Sequence, residues 1–297
     1  MKNKDFYKKK KAYFEGWYFK NQFQDNAISF IPGINIKASG EKYSFIQIIT
    51  KDKSYNINYD FNDFSISDDK LTIKIKDNIF STRGIILNIK NKDIHIKGRL
   101  IYSDITPLKS DIMGPFKYFS FMECFHGVLS LDHKVNGSLY LNDKEIKFID
   151  GKGYIEKDFG RSFPETYLWI QSNDFIIENT SVMVSIADIP FLGYKFKGCI
   201  AVVYYKGKEY RFATYNGVKI ISYNEKGLVI KKGKYRLEID IEVNELKGQK
   251  LLAPNIGEMK RTVCENINCS AKYKFYENDK LIFNLVSNTT SFEYVNK

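Results

Sequence analysis

Two acidic side chains separated by a single residue have the spacing that points most directly to chemistry. Glu156 and Asp158 stand within residues 151–164, and in an extended strand residues i and i+2 project from the same face. Two carboxylates held together in a dry site do not both ionise easily, so one pKa rises and a neutral acid remains near pH 7. The pair therefore predicts a general acid. A charged linker in which Lys157 and Arg161 pair with these acids is an equally open interpretation.

A second segment, residues 121–128, combines an acid, a thiol and a histidine. If it is a strand, His126 shares a face with Met122 and Cys124, while Glu123 points the other way. Histidine changes its charge near neutral pH, and the chain contains three histidines. His126 is a candidate for orienting a substrate or accepting its proton, and Glu123 is a reserve proton donor. A buried histidine bonded to a backbone carbonyl is the alternative.

A third segment, residues 13–19, places Glu15 among aromatic side chains. An acid in such surroundings must be paired, protonated or solvated. The rings of Trp17 and Tyr18 stand in the same segment, and aromatic side chains also line apolar cavities. Trp17 has a structural interpretation as well, as the core aromatic that closes the base of a barrel.

Period-two alternation around these segments indicates how they are held. From residue 236 to residue 243, charged and apolar side chains alternate, as in a strand with one buried face and one wet face. Turn dipeptides such as Asn136-Gly137 separate stretches of this kind. A short helical piece is expected around residues 244–248, and no long amphipathic helix is visible. The pattern predicts an all-β chain built from antiparallel barrels.

A weak internal repeat indicates how many barrels there are. The tryptophan of residues 17–23, the asparagine four positions later and the phenylalanine six positions later recur in residues 169–175. The two segments begin 152 residues apart (169 minus 17), about half of the 297-residue chain. This spacing predicts two consecutive barrels, at residues 1–155 and 156–297, each opening with a tryptophan-bearing strand.

The amino-acid composition limits the classes of ligand and partner that the protein is expected to bind. With 43% hydrophobic and 15% aromatic residues, the chain is globular and can line an apolar cavity. Its formal net charge of +11 attracts anionic surfaces. The lysines are spread along the whole chain, so we expect no nucleic-acid partner. The basic cluster at residues 8–11 indicates peripheral membrane contact, unless this terminus is simply solvated.

Several features are missing from the sequence. No run of 18 apolar residues is present, so no membrane-spanning helix is expected. The N-terminal residues are charged and contain no apolar signal region, so we expect a cytoplasmic protein. Cys124, Cys199, Cys264 and Cys269 form no CxxC pair and the histidines are few. We therefore expect free thiols and no metal.

The three segments together resemble tocopherol cyclases. Residues 14–18 read FEGWY, like the opening motif of that family, and residues 122–127 read MECFHG, like its bacterial branch. Residues 154–175 follow its central motif, approximately YSEKNWG, then FP, then WxWxQxNxF. Asp158 and Phe159 stand where the family has Asn-Trp, and Tyr167 stands at the first later tryptophan. Asp158 either adds a proton donor or disrupts the ancestral site.

The resemblance implies a calycin-like fold of two lipocalin-type barrels and an isoprenoid or prenyl-quinol ligand. Enzymes of the family close a prenylated benzoquinol into a chromanol, and distant relatives hydrate isolated carotenoid double bonds. Both reactions begin by protonating an alkene, with no redox change, so no cofactor is expected. The resemblance and the aromatic segments together predict six substrate-contacting residues: Glu15, Trp17, Tyr18, Trp169, Gln171 and Asn173. A non-catalytic carrier for the same ligand is the alternative function.

Overall fold

The structure, a computed structural model, describes most of the chain: residues 7, 10–24, 26–67, 71–119, 122–191, 193–242 and 248–296. The helical piece expected around residues 244–248 lies outside these residues except for Gly248, and so do Lys8, Lys9 and Phe121. No helix formed by the described residues has the length and hydropathy needed to cross a bilayer.

The first sheet contains eleven antiparallel strands. They are β1 (Tyr13–Phe23), β2 (Asn26–Ile36), β3 (Lys42–Ile49), β4 (Ser54–Asp60), β5 (Phe64–Ser67), β6 (Thr72–Ile75), β7 (Asn78–Ser81), β8 (Gly84–Lys90), β9 (His95–Ser103), β10 (Cys124–Leu141) and β11 (Lys144–Gly160). Their order, β4-β3-β2-β1-β11-β10-β9-β8-β7-β6-β5, makes a nearly closed barrel. A short 3₁₀ helix at Phe61–Asp63 connects the two outer strands.

The second sheet contains ten antiparallel strands. They are β12 (Tyr167–Ser172), β13 (Thr180–Phe191), β14 (Tyr194–Tyr205), β15 (Lys208–Ala213), β16 (Lys219–Asn224), β17 (Gly227–Lys232), β18 (Tyr235–Ile241), β19 (Gln249–Asn255), β20 (Glu258–Glu277) and β21 (Lys280–Val295). The order is β15-β14-β13-β12-β21-β20-β18-β17-β16, and β19 also pairs with β20. Further 3₁₀ helices lie at Gly114–Tyr118 and Thr214–Asn216. The predicted all-β fold is confirmed.

Alternating side chains of β1 and β11 serve two different cores. Trp17 and Ile155 belong to an apolar cluster inside the first barrel. Their strand neighbours Tyr18 and Tyr154 belong to another cluster, which also contains Trp169 of the second sheet. Because successive strand residues project to opposite faces, each of these strands packs on its own barrel with one face and on the second sheet with the other.

Gly153 of β11 lies where the first barrel leaves no room for a side chain. A Cβ at this position would lie 2.1 Å from Nε2 of His133, a buried residue whose ring packs against Tyr102. Gly153→Ala is therefore expected to lower the free energy of unfolding by about 1–3 kcal/mol through overpacking. Urea titration measures the loss. The matched control is Gly127→Ala on β10, where the nearest atom would be 3.9 Å away, and equal losses in the two variants would contradict the explanation.

Candidate active site

A cavity of about 170 Å³ lies between the two sheets. Most of its lining side chains are apolar or aromatic, and they come from strands of both sheets and from the segment between β9 and β10. Examples are Phe14, Phe45, Met122, Trp169, Ile200 and Val263. Cavities of this kind bind ligands through apolar contact and orient them with a few polar groups.

Three polar side chains of this cavity meet on the paired strands β10 and β11. Glu156 and Asp158 both line it, as their i, i+2 spacing predicts, and His126 lies directly across from Asp158 in the strand register. His126 Nδ1 is 2.9 Å from Asp158 Oδ1, and its Nε2 is 3.4 Å from Glu156 Oε2. The imidazole is therefore hydrogen-bonded to Asp158 and lies next to Glu156 without a hydrogen bond to it.

Burial and the neighbouring charges set the protonation of this group. Desolvation raises the pKa of Glu156 to about 7, with a smaller upward contribution from the charge of Asp158, while the His126 charge opposes the rise. Desolvation by itself would lower the pKa of His126, but Asp158 and Glu156 together outweigh it and raise that pKa to about 9. The site thus holds an imidazolium beside a carboxyl group that can be neutral near pH 7.

Two donors from β11 and β12 hold the Glu156 carboxyl group in place. The Tyr154 hydroxyl donates to Glu156 Oε2 at 2.6 Å, and the Trp169 indole Nε1–H donates to the same oxygen at 3.2 Å. The Trp169 ring also lies edge-on to Tyr18, with 5.4 Å between centroids. Trp169 and Tyr18, both predicted to contact substrate, therefore line the cavity beside the acid.

A second pair of carboxyl groups lines the same cavity, and our sequence analysis missed both. Glu265 of β20 faces Glu293 of β21 in the strand register, and both are buried. The Tyr18 hydroxyl donates to Glu265, and the Tyr167 hydroxyl donates to Glu293. Desolvation raises the pKa of Glu293 to about 7 and that of Glu265 well above its usual value.

A signal for one of these acids was present in the sequence. Glu265 falls between Val263 and Ile267 on the apolar side of an alternating stretch, so its burial was predictable from period two. The residues two positions before and after Glu293 are Ser291 and Val295. Only one of these two is apolar, so the sequence does not mark this face as buried.

Two predicted site residues lie inside the first barrel, away from the cavity lining. Trp17 is fully buried in the core of that barrel, under the Lys157 ammonium at 5.1 Å from its ring centroid. Glu15 is fully buried and pairs with Lys157, and it accepts hydrogen bonds of 2.9 Å from the hydroxyls of Tyr7 and Tyr13. Both side chains project from the face of β1 opposite Tyr18, because successive residues of a strand alternate between its two faces.

Gln171 and Asn173 lie between the sheets but outside the cavity lining. Gln171 accepts a 3.0 Å hydrogen bond from Nζ of Lys20, a fully buried lysine whose pKa desolvation lowers to about 7. Asn173 donates to Asp132 at 2.9 Å. Glu123 is exposed and does not line the cavity. Gln171 and Asn173 therefore belong to the interface between the two sheets, and Glu123 belongs to the protein surface.

The donor set that could hold a metal ion coincides with the acid group. Ligand atoms of His126, Glu156 and Asp158 all lie within 4.8 Å of one another. One imidazole nitrogen and two carboxylate oxygens are ligands that divalent transition metals accept. Among the described residues, these three could hold a cation in this cavity.

If Glu156 donates a proton to a molecule bound in the cavity, the pH dependence of that reaction reports the protonation of Glu156. If the neutral form is active, turnover should be high below a pKa of about 7 and fall as pH rises through it. Tyr154→Phe removes a hydrogen bond that favours the carboxylate, so the falling limb should move to higher pH. A pH–rate profile of both proteins measures this. A limb that stays in place or moves down would contradict the assignment.

Solved structures with the same architecture support the fold. CghA, solved with Sch210972, is 10% identical to this chain, with a TM-score of 0.62 over 95% of this chain and 88% of that one. Kievitone hydratase from Nectria haematococca is 12% identical, with a TM-score of 0.54 and the same two coverages. At these identities the likeness shows the fold alone.

The family is shown by a match to the sequence itself. The model of tocopherol cyclase-like proteins matches residues 91–294. That range is 204 of 297 residues and contains His126 of β10 and the four cavity carboxyl groups, which lie on β11, β20 and β21. The protein therefore belongs to the tocopherol cyclase-like family.

Proposed function

We propose that the protein is a cyclase that protonates an isolated alkene of a prenylated benzoquinol and closes the ring to a chromanol. The observation that carries this proposal is a buried carboxyl group, Glu156, with a pKa of about 7 in an apolar cavity. Protonating an unactivated alkene requires a neutral acid, and a carboxyl group that is neutral near pH 7 meets that need.

Glu156, and not Asp158, is the proton donor of this proposal. Asp158 is the more exposed of the two, with 22% of its side chain accessible against 6% for Glu156, and it holds His126 Nδ1 at 2.9 Å. Asp158 therefore positions His126, whose Nε2 faces Glu156 and can return a proton to it.

The reaction needs no net gain or loss of protons. Glu156 transfers its proton to the less substituted alkene carbon, and a tertiary cation forms at the other carbon. A phenol oxygen of the quinol attacks that cation and forms the new C–O bond. The phenol proton then returns to the carboxylates of the cavity. The product is an isomer of the substrate.

Rings and carboxylates of the cavity would stabilise the cation. The rings of Trp169 and Tyr18 line the cavity beside Glu156, and aromatic rings attract cations. Once Glu156 has given up its proton, its own carboxylate faces the positive carbon in an apolar site, where a charge interaction is stronger than in water. The cavity thus favours the transition state over the neutral substrate.

Turnover in deuterium oxide tests the proposal. A hydroquinone carrying a prenyl chain beside a hydroxyl group is incubated with the protein, and the products are separated and weighed by mass spectrometry. We expect a chromanol with one deuterium on the carbon next to the ring-closing centre. A product heavier by one water would identify a hydratase. Unchanged quinol bound at one molecule per chain would support the carrier alternative and contradict the cyclase.

Metal removal provides a separate check. The proposed donor is a carboxyl group of the chain, so dialysis against a chelator should leave the rate of cyclisation unchanged. Loss of activity that returns with an added divalent cation would assign His126, Glu156 and Asp158 to metal binding, and would contradict the role given to Glu156 here.

A further inference from the structure

Four large aromatic side chains are exposed at one edge of the molecule. Phe191 and Tyr194 face each other at the tip of the β13–β14 hairpin, with 42% and 82% of their surfaces accessible. Tyr118 and Phe119, at the end of the 3₁₀ helix Gly114–Tyr118, are 77% and 43% accessible. We call these four residues the aromatic rim. Apolar rings are rarely left in water in such a group unless they serve as a contact surface.

The aromatic rim is continuous with the cavity. Phe116 and Phe196 both line the cavity and lie 6.3 Å apart, centroid to centroid. Phe116 contacts Phe119 of the rim at 5.9 Å, and Phe196 contacts Phe191 at 6.4 Å. An unbroken path of rings therefore leads from the exposed edge to the cavity, a route that suits an apolar chain.

Two lysines flank the rings of the rim in the sequence. Lys117 is exposed and lies over the Tyr118 ring, 5.0 Å from its centroid, with no carboxylate partner among the described residues. Lys195 follows Tyr194 and pairs with Glu165, while over half of its side chain stays accessible. The whole chain carries a formal charge of +11. This charge complements an anionic surface.

We propose that the aromatic rim docks the protein on an anionic lipid bilayer, with the cavity opening toward the lipid. Tyrosine and phenylalanine rings are favoured at the boundary between headgroups and acyl chains. Lysines next to them are attracted to the negative surface of the membrane. A water-insoluble prenyl chain could then enter along the rings without crossing water.

This surface differs from the basic N-terminus that the sequence indicated. Tyr7 is fully buried in the core of the first barrel, and Lys10 lies 5.2 Å from the Tyr13 ring centroid. Tyr7 thus packs inside the barrel and donates a hydrogen bond to Glu15, whereas Lys11 of the same segment is exposed. The rim, by contrast, has both exposed rings and the connection to the cavity.

Vesicle binding tests the proposal with the full chain. The protein is sedimented with vesicles of phosphatidylcholine and phosphatidylglycerol at low salt and at high salt. We expect Phe191→Ser/Tyr194→Ser to lower the partition coefficient by about tenfold or more, because two apolar rings are lost. Binding of the unaltered protein should persist in part at high salt, since burial of rings is not screened.

A matched variant separates the rim from exposed apolar surface in general. Ile101→Ser/Ile149→Ser removes two side chains that are 50% and 80% accessible on β9 and β11 of the first barrel, and it should bind vesicles like the unaltered protein. Thermal unfolding of both variants shows whether they are folded. Equal binding by the two variants, or binding that high salt abolishes entirely, would overturn the proposal.

Other outcomes also decide the question. If no vesicles bind and the protein forms a dimer that Phe191→Ser/Tyr194→Ser dissociates, the rim is an interface between copies of this chain and the proposal is wrong.

The inference rests on the proposed function only in that the substrate is taken from a membrane. Vesicle binding is measured without substrate, so its failure would leave the deuterium experiment unaffected, and the reverse also holds.

Discussion

Glu156→Gln is expected to lower kcat for cyclisation by about 10²–10⁴-fold, the contribution of a positioned general acid. Glutamine keeps the shape of the side chain and can still accept the hydrogen bonds from Tyr154 and Trp169. Its amide group, however, is not acidic enough to protonate an alkene. KM should change little, because the apolar lining that binds the substrate is intact. Steady-state kinetics with the prenylated hydroquinone measures the effect.

The controls for this variant use the other acids of the same strands. Glu123→Gln alters an exposed residue outside the cavity lining and should leave kcat unchanged. Asp158→Asn should lower kcat less than Glu156→Gln, because it removes only the partner of His126. If Glu156→Gln retains full turnover while Glu293→Gln loses it, the proton comes from the second carboxyl pair and our assignment is wrong.

Lys157→Met is expected to lower the free energy of unfolding by about 3–5 kcal/mol, as removal of one partner from a buried ion pair does. Glu15 is fully buried and pairs with Lys157 inside the first barrel. Methionine keeps most of the apolar stem, but it removes the ammonium that lies over the rings of Trp17 and Phe159 and leaves the carboxylate without that cation. Urea unfolding at pH 8 measures the loss.

A double variant distinguishes the loss of the Lys157 cation from lost packing. Glu15→Gln/Lys157→Met removes both charges of this ion pair, and the glutamine oxygen can still accept from the hydroxyls of Tyr7 and Tyr13. Its stability should return to within about 1–2 kcal/mol of the unaltered protein. A loss that is equal in both variants would attribute the effect to packing.

The position of the acid pair could be predicted from the sequence because side-chain direction in a strand is a local property. Glu156 and Asp158 are two residues apart on β11, so they share a face in any sheet that contains them. The motifs around them were sufficient to indicate the tocopherol cyclase-like family, and period two was sufficient for the all-β fold. Each of these predictions depends on residues near one another in the chain.

The sequence did not allow us to predict which face of each strand lines the cavity. Trp17 and Trp169 occur in similar segments, yet Trp17 fills the inside of the first barrel and Trp169 lines the cavity between the sheets. The alternation of a strand with two buried faces does not mark which face meets which core. For that reason Glu15 and Trp17 were predicted as substrate contacts although they belong to the barrel interior.

The sequence alone determined that the chain forms antiparallel strands, which family it resembles and that one acid pair shares a face. Only the tertiary structure placed His126 between those acids, added Glu265 and Glu293, and joined Phe116 to Phe196 at the mouth of the cavity. The physical reason is that strand character follows from local sterics and alternation. The cavity, in contrast, exists only where two sheets pack, and the register between strands far apart in the chain decides which side chains reach it.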